Sequence, residues 1–205
     1  MDIPMFHAGS RQWQERFGTR SLADRLVERL ARNRFTDEDR AFIEARPFFM
    51  LATADAQGRP DCSYKGGLPG FVSVIDSATL AFPSYDGNGM FKSLGNLQVN
   101  PQVGLLFIDF ESPKRLRVNG RARADDRDPL MARFPGADLI VRVQPDAIFP
   151  NCPRYLHKMQ IVELSAYVPE NDKRPPIPNW KLRPEFNEVL PASDPARTTP
   201  GNEKD

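Results

Sequence analysis

The sequence predicts a mainly β domain with helical additions, an antiparallel barrel of about six strands. Two observations lead there. Short β-rich runs crowd residues 48 to 168: FFMLATAD, DCSYKG, FVSVI, TLAFPS, QVGLLFIDF, RLRVNGRARA, LIVRV and MQIVELSAYV. The turn chemistry between them (AQGRP, LPG, DSA, ESPK) leaves no space for the crossover helices that a parallel sheet needs.

The remaining elements follow in order. Ser21 precedes Leu22, Leu26, Val27 and Leu30 at helical spacing, with Asp24 in the first turn, so residues 21 to 33 read as an amphipathic helix. Thr36, followed by Asp37, Glu38 and Asp39 and then by Phe42 and Ile43, starts a second helix that must stop before Pro47. Within the β region the one convincing helix is GMFKSLGNLQVN at 89 to 100, closed by Pro101, with a helical turn near Pro129 to Phe134. The tail from Pro169 holds eight prolines and few aliphatic residues, which predicts an extended arm that loses order after about Pro191. Trp180, Leu182 and Phe186 are its candidate anchors. The chain thus divides into a helical extension (1–46), a barrel domain (47–168) and a Pro-rich arm (169–205).

Composition narrows the function. The chain has 205 residues, 40% of them hydrophobic, with 20 prolines. Its 28 Lys and Arg nearly cancel 27 Asp and Glu, which argues against a nucleic-acid partner held by bulk charge. No window is apolar enough to span a membrane, and the start MDIPMFHAGSRQWQERFG is too polar for a signal peptide, so a cytoplasmic protein is expected. Two cysteines and two histidines are too few for a disulfide scaffold or a His/Cys metal cluster.

The segment that carries chemistry runs from Pro83 to Pro101. In FPSYDGNGMFKSLGNLQVNP a strand leads through a glycine-containing loop into a helix with Lys92 and Ser93 in its opening turns. Unpaired backbone amides, the positive end of a helix dipole and a lysine outline an anion pocket; the alternative is a helix with a solvated lysine. The spacing is not that of a nucleotide-hydrolysing phosphate loop.

The order ATADAQGRPDCSYKGG, KSLGNLQVNPQVGLLFIDF and RLRVNGRARADD resembles the pyridoxamine 5'-phosphate oxidase-like flavoproteins, over about Phe48 to Val168. KGGLPGF, YDGNGMFKSLGNL and FPNCPRY are similar to the subgroup described as flavin-nucleotide-binding. The resemblance implies a split β-barrel that binds FMN at the interface of a homodimer. It implies phosphate contacts at Lys92 and Ser93, a strand carrying Ser63, Tyr64 and Lys65 along the ribityl chain and ring edge, and a polar partner-subunit contact near Arg115. Asn88 is a further phosphate or ribityl contact from the loop. Where the oxidase has two adjacent basic residues, this chain has Lys92 and Ser93, and the oxidase's C-terminal substrate arginine and tryptophan have no counterpart. Pyridoxamine phosphate is therefore not the expected substrate.

Other candidates have plainer readings. FPNCPRYLHKM joins Cys152, Arg154 and His157 in a Pro-bounded loop that reads first as a rigid connection, second as a lining of the flavin ring, and only weakly as a nucleophilic Cys and His pair. Cys62 and Cys152 are expected to stay reduced and not to form a relay, with alternation turning Cys62 away from the side that Ser63 presents. Arg115, Arg117, Arg121 and Arg123 stand at even spacings along a strand, so most of them share one face, which reads first as a solvated face and second as an anion groove. The leading function is an FMN-dependent oxidoreductase acting with an unidentified small-molecule substrate or electron donor. A non-catalytic flavin-binding or redox-sensing protein stands against it, and a third reading places a deazaflavin or haem in the cleft.

Overall fold

The computed structural model describes residues 5–170 and 175–198; parts of the expected helical extension (1–4) and arm (171–174 and 199–205) lie outside the described residues. The chain forms two compact units, Met1–Glu163 and Leu164–Asp205.

The first unit opens with three helices, α1 (Ala8–Arg16), α2 (Arg20–Leu30) and α3 (Asp37–Glu44). Sequence periodicity missed α1, which buries no residue and carries a weak apolar stripe. The amphipathic helix expected at 21 to 33 ends three residues early, at Leu30. α3 starts where expected: the Thr36 hydroxyl accepts from the Asp39 amide while the Asp39 carboxylate accepts from the Thr36 amide, a reciprocal cap. Its Ile43 is fully buried.

Seven strands follow in one antiparallel sheet: β1 (Phe48–Ala54), β2 (Pro60–Gly66), β3 (Ser73–Asp76), β4 (Thr79–Tyr85), β5 (Gln102–Asp109), β6 (Lys114–Asp125) and β7 (Ala137–Pro150). Their spatial order is β2-β1-β5-β6-β7-β4-β3, so the sheet curls without closing and β2 and β3 are its edges. This is the mainly β, α+β architecture of a split barrel. α4 (Lys92–Val99) crosses between β4 and β5, and a short 3₁₀ turn, Pro129–Arg133, lies between β6 and β7. Inward residues alternate along the strands and meet in one core, where Phe49 lies 4.9 Å from Phe82 and 5.2 Å from Phe107 between ring centroids. The strand arginines Arg117, Arg121 and Arg123 alternate with buried Leu116, Val118 and Ala122 and face solvent.

Two expectations fail. MQIVELSAYV is irregular and exposed, with Val162 97% accessible. Its β-branched residues suit a pleated surface, but propensity makes a strand only where a sheet edge supplies a ladder, and among the described residues the one backbone bond tying its start to the sheet side is Met159 N–H to Phe110 C=O, just past the end of β5. The tail is not simply extended either. Its unit folds into short helical turns at Asn179–Leu182, α5 (Pro184–Asn187) and α6 (Pro195–Thr198), so order persists past Pro191. Lys181, 3% exposed, pairs with Asp194 at 2.8 Å, and Asn187 donates to the carbonyls of Lys181 and Ala196. The prolines help here, since Pro184 and Pro195 stand at first helical positions where no amide is needed. Among the described residues no helix is long and apolar enough to cross a membrane.

Two positions test this architecture. At Gly120 the β6–β7 register shifts, and a Cβ would stand 2.2 Å from the Gln144 carbonyl and 2.9 Å from Pro145 Cα. Both obstacles are backbone, so Gly120→Ala is expected to cost about 2 to 3 kcal/mol in denaturant unfolding. Asp128, 4% exposed, accepts two bonds from Arg142 at 2.5 and 2.9 Å, and that guanidinium holds its carboxyl below the ordinary 3.8. A carboxylate depressed in the native state stabilises above the unfolded value and loses that contribution as pH falls through the native one. Asp128→Asn is therefore expected to lower the melting temperature at neutral pH and to flatten its fall below about pH 4.

A candidate anion and cofactor site between α4 and β2

Pairing decides which side chains meet. β1 and β2 are in register with Thr53 opposite Asp61, Leu51 opposite Ser63 and Phe49 opposite Lys65. Directly opposed residues share a face, so Asp61, Ser63 and Lys65 stand on the core side with Phe49, Leu51 and Thr53. Cys62 and Tyr64 stand on the other side, opposite Ala52 and Met50. Tyr64 stacks on Phe48 at 5.2 Å, which in turn stacks on Phe110, and partial burial raises its phenol pKa.

α4 lies over that core side. The loop before it turns at Asn88, whose Oδ1 accepts from the Met90 amide at 3.0 Å, and at Gly89, which takes a φ of +72°. Phe91 enters the helix at φ +47°, a left-handed conformation that costs an aromatic residue roughly 1 to 2 kcal/mol. It has no side-chain acceptor to cap the helix, so the first-turn amides near Lys92 and Ser93 are available to an anion. The buried Ser93 hydroxyl lies 3.2 Å from Ser63 Oγ and donates to Asp61 Oδ2 at 3.2 Å. One turn on, buried Asn96 donates to Thr53 Oγ1 at 2.9 Å.

The structure thus brings together Ser63, Ser93 and Asp61, with Lys65 on the same strand face and exposed Lys92 at the helix entrance. Lys92 has no ion pair among the described residues. Burial lowers the Lys65 pKa from its ordinary 10.5, partly offset by Asp61. Two lysines against one carboxylate, with two hydroxyls and free helix amides, suit the phosphate end of a cofactor. Asp61 escaped the sequence reading, although counting back two residues from Ser63 along an alternating strand reaches it.

Other expected site residues stand apart. Tyr64 projects from the opposite face. Asn88 is exposed and engaged in its own turn. Arg115 donates to the Cys152 carbonyl at 2.5 Å and so ties the Pro-bounded loop to β6, while Arg154 is exposed. Both cysteines are free and exposed. No hydrogen bond or ion pair joins Arg115, Cys152 or Arg154 to the Ser63 and Ser93 group among the described residues.

The family model of pyridoxamine 5'-phosphate oxidase matches residues 35–166. The chain belongs to this family. Among the solved structures it is similar to are HutZ, the heme storage protein from Vibrio cholerae (25% identity, TM-score 0.42, 57% of this chain and 94% of that one), HupZ from Group A Streptococcus (20%, 0.46, 57% and 93%), and an F420 reductase (21%, 0.41, 53% and 93%). No curated protein matches the chain. The span matched to the oxidase family contains α3 through β7, and with them both sides of the Ser63 and Ser93 contact.

The lowered Lys65 pKa gives the candidate anion site an alkaline test. Affinity for an inorganic phosphate probe, followed from about pH 7 to 10, is expected to fall at a lower pH than a free lysine would dictate, and Lys65→Arg is expected to remove that fall. Folding has the opposite slope, since the unfolded chain holds the Lys65 proton more tightly and native stability rises as it is released.

Proposed function

We propose that the protein is an FMN-dependent oxidoreductase of the pyridoxamine 5'-phosphate oxidase family, with residues 47–168 as its FMN-binding part. The observation that carries this reading is the convergence of Ser63 on β2 with Ser93 at an uncapped helix start, flanked by Lys65 and Lys92. Lys92, Ser93 and Ser63 would hold the phosphate, and Lys65 would keep a cation on the ribityl side of the same strand. Bound FMN supplies one- and two-electron transfer. The chain's part is to bind and orient it: Asp61 fixes the Ser93 hydroxyl, and Asn96 with Thr53 hold α4 at its distance from β2. The redox partner is a small molecule.

A homodimer completes the reading. Cofactor sites shared across a two-fold are what the family resemblance implies. Large apolar residues stand exposed on and just after α1 (Trp13, Phe17), on α2 (Leu22, Leu26) and at Tyr155 and Val162, surface that a second copy would cover.

Titration of purified protein with FMN tests the assignment: Lys92→Ala is expected to weaken binding by roughly 1.5 to 3 kcal/mol, the scale of a hydrogen bond to a charged group. An unchanged affinity would remove Lys92 from the phosphate site. Bleaching of the flavin spectrum by NADH or NADPH, reversed by an added acceptor, is expected; tight binding without bleaching would make the protein a flavin carrier or sensor instead. Light scattering on the FMN-loaded protein is expected to give twice the mass of one chain.

A further inference from the structure

The two edges of the sheet are finished differently. At β3 the outer edge is closed by α3: Arg40 Nη1 donates to the Val74 carbonyl, and the Val74 amide donates to Glu44 Oε1 at 2.9 Å. At β2 the edge is open. The hairpin bonds from Asp55 N–H to Arg59 C=O and from Gly67 N–H to Pro47 C=O set the alternation, so Asp61, Ser63 and Lys65 turn their backbone groups to β1 while Cys62, Tyr64 and Gly66 turn theirs outward. Among the described residues nothing bonds to those outward groups. Pro60, at the first position of β2, blunts only the end of the edge. An edge left in this state is a template for one more strand.

The same molecule holds a strand-like run without a ladder. Gln160, Ile161, Val162 and Glu163 make no backbone hydrogen bond among the described residues, and all four are exposed, Val162 almost completely. In an extended run Gln160 and Val162 share one side, Ile161 and Glu163 the other. β2 has matching sides: Cys62 and Tyr64 lie with the apolar Phe48 and Met50, whereas Asp61, Ser63 and Lys65 lie on the core-facing side. Val162 suits the first side, and the carboxylate of Glu163 meets the cation Lys65 on the second.

The run is too short to reach the β2 edge of its own chain. Its start is held at Phe110, just past β5, and the strand order puts β1 and β2 between β5 and the open edge. Crossing to a new position beyond β2 spans three strand spacings, about 14 Å, which takes about four extended residues. Residues 160 to 163 would be used up in the crossing and could not pair. The edge of a second copy carries no such restriction.

We propose that residues 160–163 of one copy add as an eighth strand to the β2 edge of a second copy, in a reciprocal exchange about a two-fold axis. The exchange rests on the homodimer of the proposed function, for which it names a contact, and it needs no cofactor.

The test is disulfide trapping in the full chain. With Cys152→Ser in place Cys62 is the one remaining thiol, and Gln160→Cys, Ile161→Cys, Val162→Cys and Glu163→Cys are added one at a time. Paired residues of a ladder bring their Cα atoms to about 5.5 Å, within disulfide reach. Under mild oxidation Gln160→Cys and Val162→Cys are expected to give a covalent dimer, joined through Cys62 as read by peptide mass, at least about fivefold faster than Ile161→Cys and Glu163→Cys, because only the first two share the Cys62 side. Val162→Pro, which removes an amide that the ladder needs, is expected to slow the Gln160→Cys cross-link by about the same factor. All four positions are exposed, so the circular dichroism spectrum is expected to stay unchanged. Equal rates at the four positions, a cross-link within a single chain, or no cross-link through Cys62 would each overturn the strand exchange. Light scattering separates this from failure of the homodimer: a dimer without the alternating cross-link overturns the exchange alone, and a monomer overturns both.

Discussion

A buried hydrogen bond between Asn96 and Thr53, 2.9 Å long, holds the candidate site together. Thr53 lies on the inward side of β1 and Asn96 on the inward side of α4, both almost free of solvent. Each would be left unsatisfied if the other moved, and an unpaired buried polar group costs about 1 to 3 kcal/mol. The bond therefore fixes how α4 sits on the sheet. With that distance set, Ser93 arrives one turn earlier along the helix beside Ser63 and Asp61, and Leu97 fills the core below. The position of β2 is no freer: its register against β1 aligns Asp61, Ser63 and Lys65 with the same inward face, and a slip of one residue would replace them with Cys62 and Tyr64.

Charge at the site is balanced by geometry more than by number. Asp61 lies close enough to Ser93 to orient its hydroxyl, and it also partly offsets the burial that lowers the Lys65 pKa. Lys92, by contrast, stands in solvent at the mouth. The site thus combines one partly desolvated lysine on β2 with one solvent-exposed lysine at the helix entrance. Under the proposed reading, such a pair suits an anion that reaches inward from the helix entrance.

The second unit obeys a different constraint. With little aliphatic material, its short turns are organised around Lys181, whose ammonium is withdrawn from water and must keep its partner Asp194. Breaking a buried ion pair leaves an uncompensated charge, so this contact specifies one arrangement of a proline-rich stretch that has few other means of choosing one.

Much of the fold was legible in sequence because it rests on local chemistry. Turn residues and β-rich runs reached every strand from β1 to β7, though LIVRV covers only part of β7, and Thr36 with Asp39 announced α3. Lys92 and Ser93 were marked by the loop-to-helix passage, and Ser63 and Lys65 by family resemblance. What local chemistry could not decide was partnership. MQIVELSAYV has the composition of a strand but finds no ladder, whereas the proline-rich tail finds a buried ion pair across residues 181 to 194 that no periodicity reveals. Tyr64 belongs to the same strand as Ser63 but to the opposite face, and Asp61 joins the site only because β2 pairs with β1 in one register under α4. The sequence determined which residues could make each element; the tertiary structure decided which faces met, because burial and hydrogen-bond satisfaction depend on partners distant in the chain.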